Sequence, residues 1–142
     1  MVPQIQSVDA RVAPEELLRE MWEYYKAVYA EELPGDPVVP FRRQALDWRN
    51  YRDDHARDRW LMRDENDEIV AVGSSFRDLA QNLENGSFWV HVREDRRGNG
   101  LGRRLATHIL QVCEADQRSR IDTYTSDGAI AEDWLERLGL QK

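Results

Sequence analysis

The stretch from Arg96 to Arg104 constrains this chain more than any other part of it. It reads Arg-Arg-Gly-Asn-Gly-Leu-Gly-Arg-Arg. The apolar run Phe88 to Val92 precedes it, and Leu101, Leu105, Ile109, Val112 and Cys113 fall on one face of the segment after it. That pattern predicts a strand, a loop and an amphipathic helix in direct succession. A helix start presents unpaired backbone N–H groups and a partial positive charge. Glycines at positions 98, 100 and 102 remove the Cβ atoms that would hold a phosphate away from those groups. Arg96, Arg97, Arg103 and Arg104 add charge and donors suited to phosphate oxygens. A plain strand-to-helix turn needs one glycine. Three at alternate positions between arginine pairs point to a diphosphate cradle.

Two familiar phosphate loops do not fit. A P-loop needs a lysine after its last glycine, and the loop has none. A dinucleotide fingerprint counted from Gly98 needs glycine at its sixth position, where Arg103 stands.

The rest of the chain supplies an α+β, or mixed α/β, setting. Gln4 to Val8 predicts a short first strand. Pro14 opens a helix whose stripe is Leu17, Leu18, Met21, Trp22, Tyr25, Val28 and Tyr29. A second helix is expected from Pro40 to Tyr51, then a solvated connection from Arg52 to Asp58. Trp60 to Met62 and Ile69 to Phe76 read as a hairpin, Ser87 to Val92 as a further strand, and Arg120 to Thr125 as another. The last helix spans Ala129 to Leu138, with Trp134 and Leu138 inward and Gly139 at a left-handed cap. No repeat or linker divides the 142 residues, so one domain over 1–142 is expected.

Composition narrows the function. The net charge of −7 opposes nucleic-acid binding and suits a cationic partner such as an amine. No apolar run approaches the roughly 20 residues of a membrane span, and Met1 to Ala10 is no secretory signal, so a cytoplasmic location is expected. The single cysteine, Cys113, and three scattered histidines offer no metal site.

Arg97, Gly100 and Gly102 satisfy [QR]-x-x-G-x-[GA], and Trp134-Leu-Glu-Arg-Leu-Gly-Leu140 lies downstream. With its strand and helix, this resembles the acetyl-CoA signature of the GNAT N-acetyltransferase superfamily over residues 86–140. The resemblance implies a mostly antiparallel sheet with one splayed parallel strand pair, and acetyl-CoA as co-substrate without a metal. It implies that Val90 and Val92 flank backbone contacts to pantetheine. Arg97, Gly98, Asn99, Gly100, Leu101 and Gly102, with Arg103, would hold the pyrophosphate. An amine on a small molecule or peptide would attack the thioester directly. His91 on the strand and Glu84 before it are the candidate bases.

The chain departs from the family in three places. Leu135 stands where a proton-donating tyrosine is usual, and the Ser126-Asp127 region where an asparagine is. The sequence also stops soon after Leu140, before the family's last strands. A fragment, half of a tandem GNAT protein, and a sheet completed by a second copy all stay open. A non-catalytic CoA-binding or structural half is the alternative to an enzyme.

Overall fold

A computed structural model describes residues 2–124 and 129–141. The expected strand end at Thr125 and the Ser126-Asp127 position lie outside the described residues. The elements run β1 (Ile5–Val8), α1 (Glu15–Glu32), α2 (Phe41–Arg49), β2 (His55–Arg63), β3 (Ile69–Asp78), β4 (Asn85–Val92), a 3-10 turn (Glu94–Arg96), α3 (Leu101–Ala115), β5 (Arg120–Asp122) and α4 (Ala129–Arg137). The five strands form one sheet in chain order. Every neighbouring pair is antiparallel except β4 with β5, which run parallel.

Both early helices start directly after a proline, Pro14 and Pro40, and neither start has a side-chain cap. The fixed proline φ pre-sets the entry to the first turn. The α1 stripe of Leu18, Met21, Tyr25 and Val28 is buried. Leu18, Met21 and Tyr25, with Phe41 and Trp48 of α2, pack on Leu61 and Val72 from one sheet face. On the other face Leu105, Ile109 and Cys113 of α3 meet Trp60, Met62 and Phe88. Each large apolar side chain of this kind contributes about 1.5–3 kcal/mol on leaving water.

β2 is longer than expected, since it begins at His55 inside the supposed solvated connection. Its charged side chains engage neighbouring elements. The guanidinium of Arg57 lies over the Phe76 ring and that of Arg59 over Trp48. Asp58 pairs with the buried Arg77, which also reaches Asp116 at 2.9 Å. The period-2 pattern is hidden under residues that read as loop.

The α4 end matches expectation closely. Gly139 has φ 92°. Its N–H bonds the Glu136 carbonyl, and the Leu140 N–H bonds that of Leu135, closing a Schellman cap.

Candidate active site

The glycine loop joins the end of β4 to the start of α3. Gly98 (φ 80°) and Gly100 (φ 81°) adopt the left-handed conformation, which only glycine takes up without steric cost. Gly100 is the residue before the first turn of α3, and no side chain caps that turn. The first bond of the helix runs from the Arg104 N–H to the Gly100 carbonyl. The amides of Gly100, Leu101, Gly102 and Arg103 therefore lie ahead of the helical ladder. Gly102 serves a different purpose. A Cβ there would sit 3.3 Å from both Trp134 and Val92, so its lack of a side chain lets α4 close on the helix start.

The four loop arginines divide their work. Arg96 reaches the buried Asp64 at 2.8 Å, and that same carboxylate accepts N–H bonds from Asn66 and Glu68 in the β2–β3 turn. Arg104 donates to the Pro3 carbonyl at 2.8 Å. Asn99 folds back on the loop, donating to the Arg96 carbonyl at 3.1 Å. Arg103 is exposed and has no ion pair among the described residues. Of the four arginines, Arg96 and Arg104 brace the loop and Arg97 turns to the α1 side.

Beside the loop, among the described residues, the β4–β5 ladder holds Asn85 with Arg120, Gly86 with Ile121 and Ser87 with Asp122 and goes no further. β4 itself continues to Val92. The Arg93 N–H bonds the Val70 carbonyl of β3 at 2.8 Å, so alternation turns the backbone groups of Val90 and Val92 the other way, toward the β5 side of the strand. Two carbonyls on this edge have partners: that of Phe88 takes the Thr123 hydroxyl at 2.6 Å, and that of Val92 takes Arg97 Nε at 2.9 Å.

On the opposite face of β4, His91 is buried, at 8% exposed. Its Nδ1 lies 2.9 Å from the Tyr24 hydroxyl of α1. Its Nε2 lies 3.3 Å from Glu31 Oε2 and 3.3 Å from an Arg97 terminal nitrogen. Arg97 also pairs directly with Glu31. A neutral imidazole carries one N–H, and with either tautomer both ring nitrogens are engaged by protein groups. Burial pulls the imidazole below its usual range, with Arg97 adding to the pull and Glu31 opposing it. Burial pushes the Glu31 carboxyl up, but Arg97 and, less strongly, His91 together outweigh this and hold it below the ordinary value. Burial raises neighbouring Glu32, and the Glu31 charge raises it further. Burial drives the Tyr24 phenol well above its usual value, so it stays a neutral donor.

Trp89 stacks on Tyr25, with ring centroids 5.8 Å apart, and floors this face beside His91. Glu84 is exposed at the opposite end of β4 from the loop, where its carbonyl accepts from Ser119 and Arg120. The two candidate bases are thus not brought together. Leu135 packs against the apolar cluster under α3.

The sequence pattern does not single out Tyr24 or Glu31. Glu31 reads as part of a solvated acidic run, and Tyr24 lies off the apolar stripe. Their separation of seven residues puts them on one face of α1, and that is the available signal.

Among the described residues no group of three His, Cys, Asp or Glu side chains is gathered for a metal, and no helix is long and apolar enough to cross a membrane. No curated protein matches the chain in sequence. Solved structures share its fold. An acetyltransferase of Trypanosoma brucei is 14% identical, with TM-score 0.73, and the match covers 99% of this chain and 94% of that one. A tandem GNAT protein from the clavulanic acid biosynthesis pathway is 16% identical, with TM-score 0.77, over 97% of this chain and 43% of that one. An aminoglycoside acetyltransferase from an uncultured soil metagenomic sample, in complex with sisomicin, is 12% identical with TM-score 0.72, covering 99% and 90%. The model of the acetyltransferase (GNAT) family matches residues 15–140, and this chain belongs to that family.

Proposed function

We propose that this protein transfers an acetyl group from acetyl-CoA to an amine by direct attack. The observation that carries the proposal is the pairing of two features at the end of β4. The helix start leaves the amides of Gly100 to Arg103 without a side-chain cap, beside the part of β4 that lies past its described pairing with β5. The amides, with Arg97 and Arg103, suit a diphosphate, and the edge at Val90 and Val92 suits the amide-bearing pantetheine arm.

The acceptor must be neutral to react. Its nitrogen lone pair forms the N–C bond, the C–S bond breaks, and the leaving thiolate takes up the second proton, which the new amide nitrogen sheds. The proton of the acceptor ammonium passes to the chain. The cluster around His91 is joined to the loop through Arg97, and it supports proton removal there. The acidic end of α1, with Glu31 and Glu32, suits a cationic acceptor. An aminoglycoside acetyltransferase among the structural neighbours is consistent with a polyamine-like acceptor class.

Isothermal titration with acetyl-CoA tests the donor, and thiol release across a panel of amines tests the reaction. Micromolar binding with amine-dependent thiol release is expected. Failure to bind at millimolar acetyl-CoA overturns the proposal. One observation favours a second reading. Leu135, in the apolar cluster, provides no proton for the thiolate, which suits a CoA-binding half that acts with a second GNAT domain or copy. Binding without thiol release from any amine would favour that reading.

A further inference from the structure

Arg97 belongs to two places at once. Its backbone lies in the glycine loop, while its guanidinium crosses to the acceptor side. There it pairs with Glu31, approaches His91 Nε2 at 3.3 Å and donates through Nε to the Val92 carbonyl at 2.9 Å. A guanidinium is a planar fork with five donors, and those aimed at a carboxylate are not at the same time aimed at a diphosphate. Its side chain is 45% exposed, so it can turn once the contacts to Glu31, His91 and Val92 are given up. Resting on the acetyl-transfer function proposed above, we infer that Glu31 is the proton-accepting group of the acceptor side. Arg97 holds it inactive until a diphosphate on the Arg97–Gly102 loop draws the guanidinium away.

Several features lead to Glu31 rather than His91. His91 has both nitrogens occupied, by Tyr24 on one side and by Glu31 and Arg97 on the other, and it is buried. Glu31 has a side chain 39% exposed, so it reaches both the imidazole and the open side. His91 and Tyr24 are positioning residues that fix the carboxylate. The charged and titratable groups around this carboxylate are Arg97 from the loop, His91 from β4, and Glu32 and Tyr24 from α1, with Arg93 acting on Tyr24. With Arg97 in place the carboxylate is a weak base. Once Arg97 turns away, its hydrogen bond and charge no longer offset burial, which favours proton uptake, and His91 alone still opposes it. The proton then travels from the acceptor ammonium to a Glu31 oxygen and on to solvent. Donor binding thereby precedes acceptor deprotonation, by exchange of a single ion pair.

The test tracks the His91 imidazole by NMR titration, with and without CoA, which carries the diphosphate but transfers nothing. Losing the Arg97 charge removes one cause of the lowered imidazole value, so CoA should shift the His91 titration upward. In Arg97→Gln the titration should be raised from the outset and CoA should move it little. CoA binding with no His91 shift overturns the inference and leaves the acetyl-transfer function standing. A full shift in Arg97→Gln also overturns it, because the ligand charge alone would then be the cause. If CoA does not bind, both fall. Glu31→Gln should lower kcat by about 100-fold and remove the acidic limb of the pH–rate profile. Its CoA dissociation constant should stay unchanged or tighten. A loss of only a few-fold with the acidic limb retained overturns the role given to Glu31.

Discussion

The two sides of β4 are built on opposite plans. On the loop side the site is made of main chain: amides without a side-chain cap, at residues adjacent in sequence where glycines take left-handed φ. On the α1 side it is made of side chains from positions 24, 31, 91 and 97, brought together from distant parts of the chain around a buried imidazole. The difference teaches where each region can fail. A main-chain cradle is insensitive to most side-chain changes and is lost when its conformation is forbidden. A side-chain cluster keeps its shape and loses function when one charge is removed.

The largest expected effect breaks the loop side alone. Gly100→Val places a β-branched residue at φ 81°, costing about 1–2 kcal/mol of local strain and covering the amides. Acetyl-CoA affinity by calorimetry should fall by about 100-fold or more, while far-UV circular dichroism stays native. Breaking the other side should leave donor affinity alone: His91→Phe removes the contacts to Tyr24 and Glu31. It should lower kcat by about 10- to 100-fold with acetyl-CoA binding within a few-fold of the parent. Within the loop, Arg103→Ala should weaken acetyl-CoA by about 10-fold, as expected for one exposed charged hydrogen bond. Arg104→Ala should change it much less, since Arg104 is spent on Pro3.

The smallest effect is on stability against pH. The His91 imidazole titrates lower in the folded chain than the ordinary value of about 6.5. Below that value the unfolded chain binds more protons, so stability falls as pH drops from about 6.5 toward the folded value. His91→Gln should flatten that slope in urea melts at pH 5 to 7.

The same contrast explains what the sequence could disclose. The loop, its flanking strand and its helix occupy consecutive residues, so spacing alone exposes them. Gly139 was legible for the same reason. Glu31 was not, because its partners lie 60 and 66 residues away and its neighbours Glu32 and Asp36 make it look like solvated surface. The early part of β2 was hidden because Arg57 and Arg59 carry their charges over aromatic rings contributed by other elements. Gly102 was legible as a glycine, but its packing against Trp134 needed the α4 position.

Asp64 gives the hairpin turn between β2 and β3 an unexpected reach. One carboxylate ties that turn to Arg96 at the root of the glycine loop. A one-residue insertion in that turn would then be expected to loosen the glycine loop through Arg96. If the loop holds a diphosphate as proposed, sequence variation between positions 64 and 68 would tune the affinity for it.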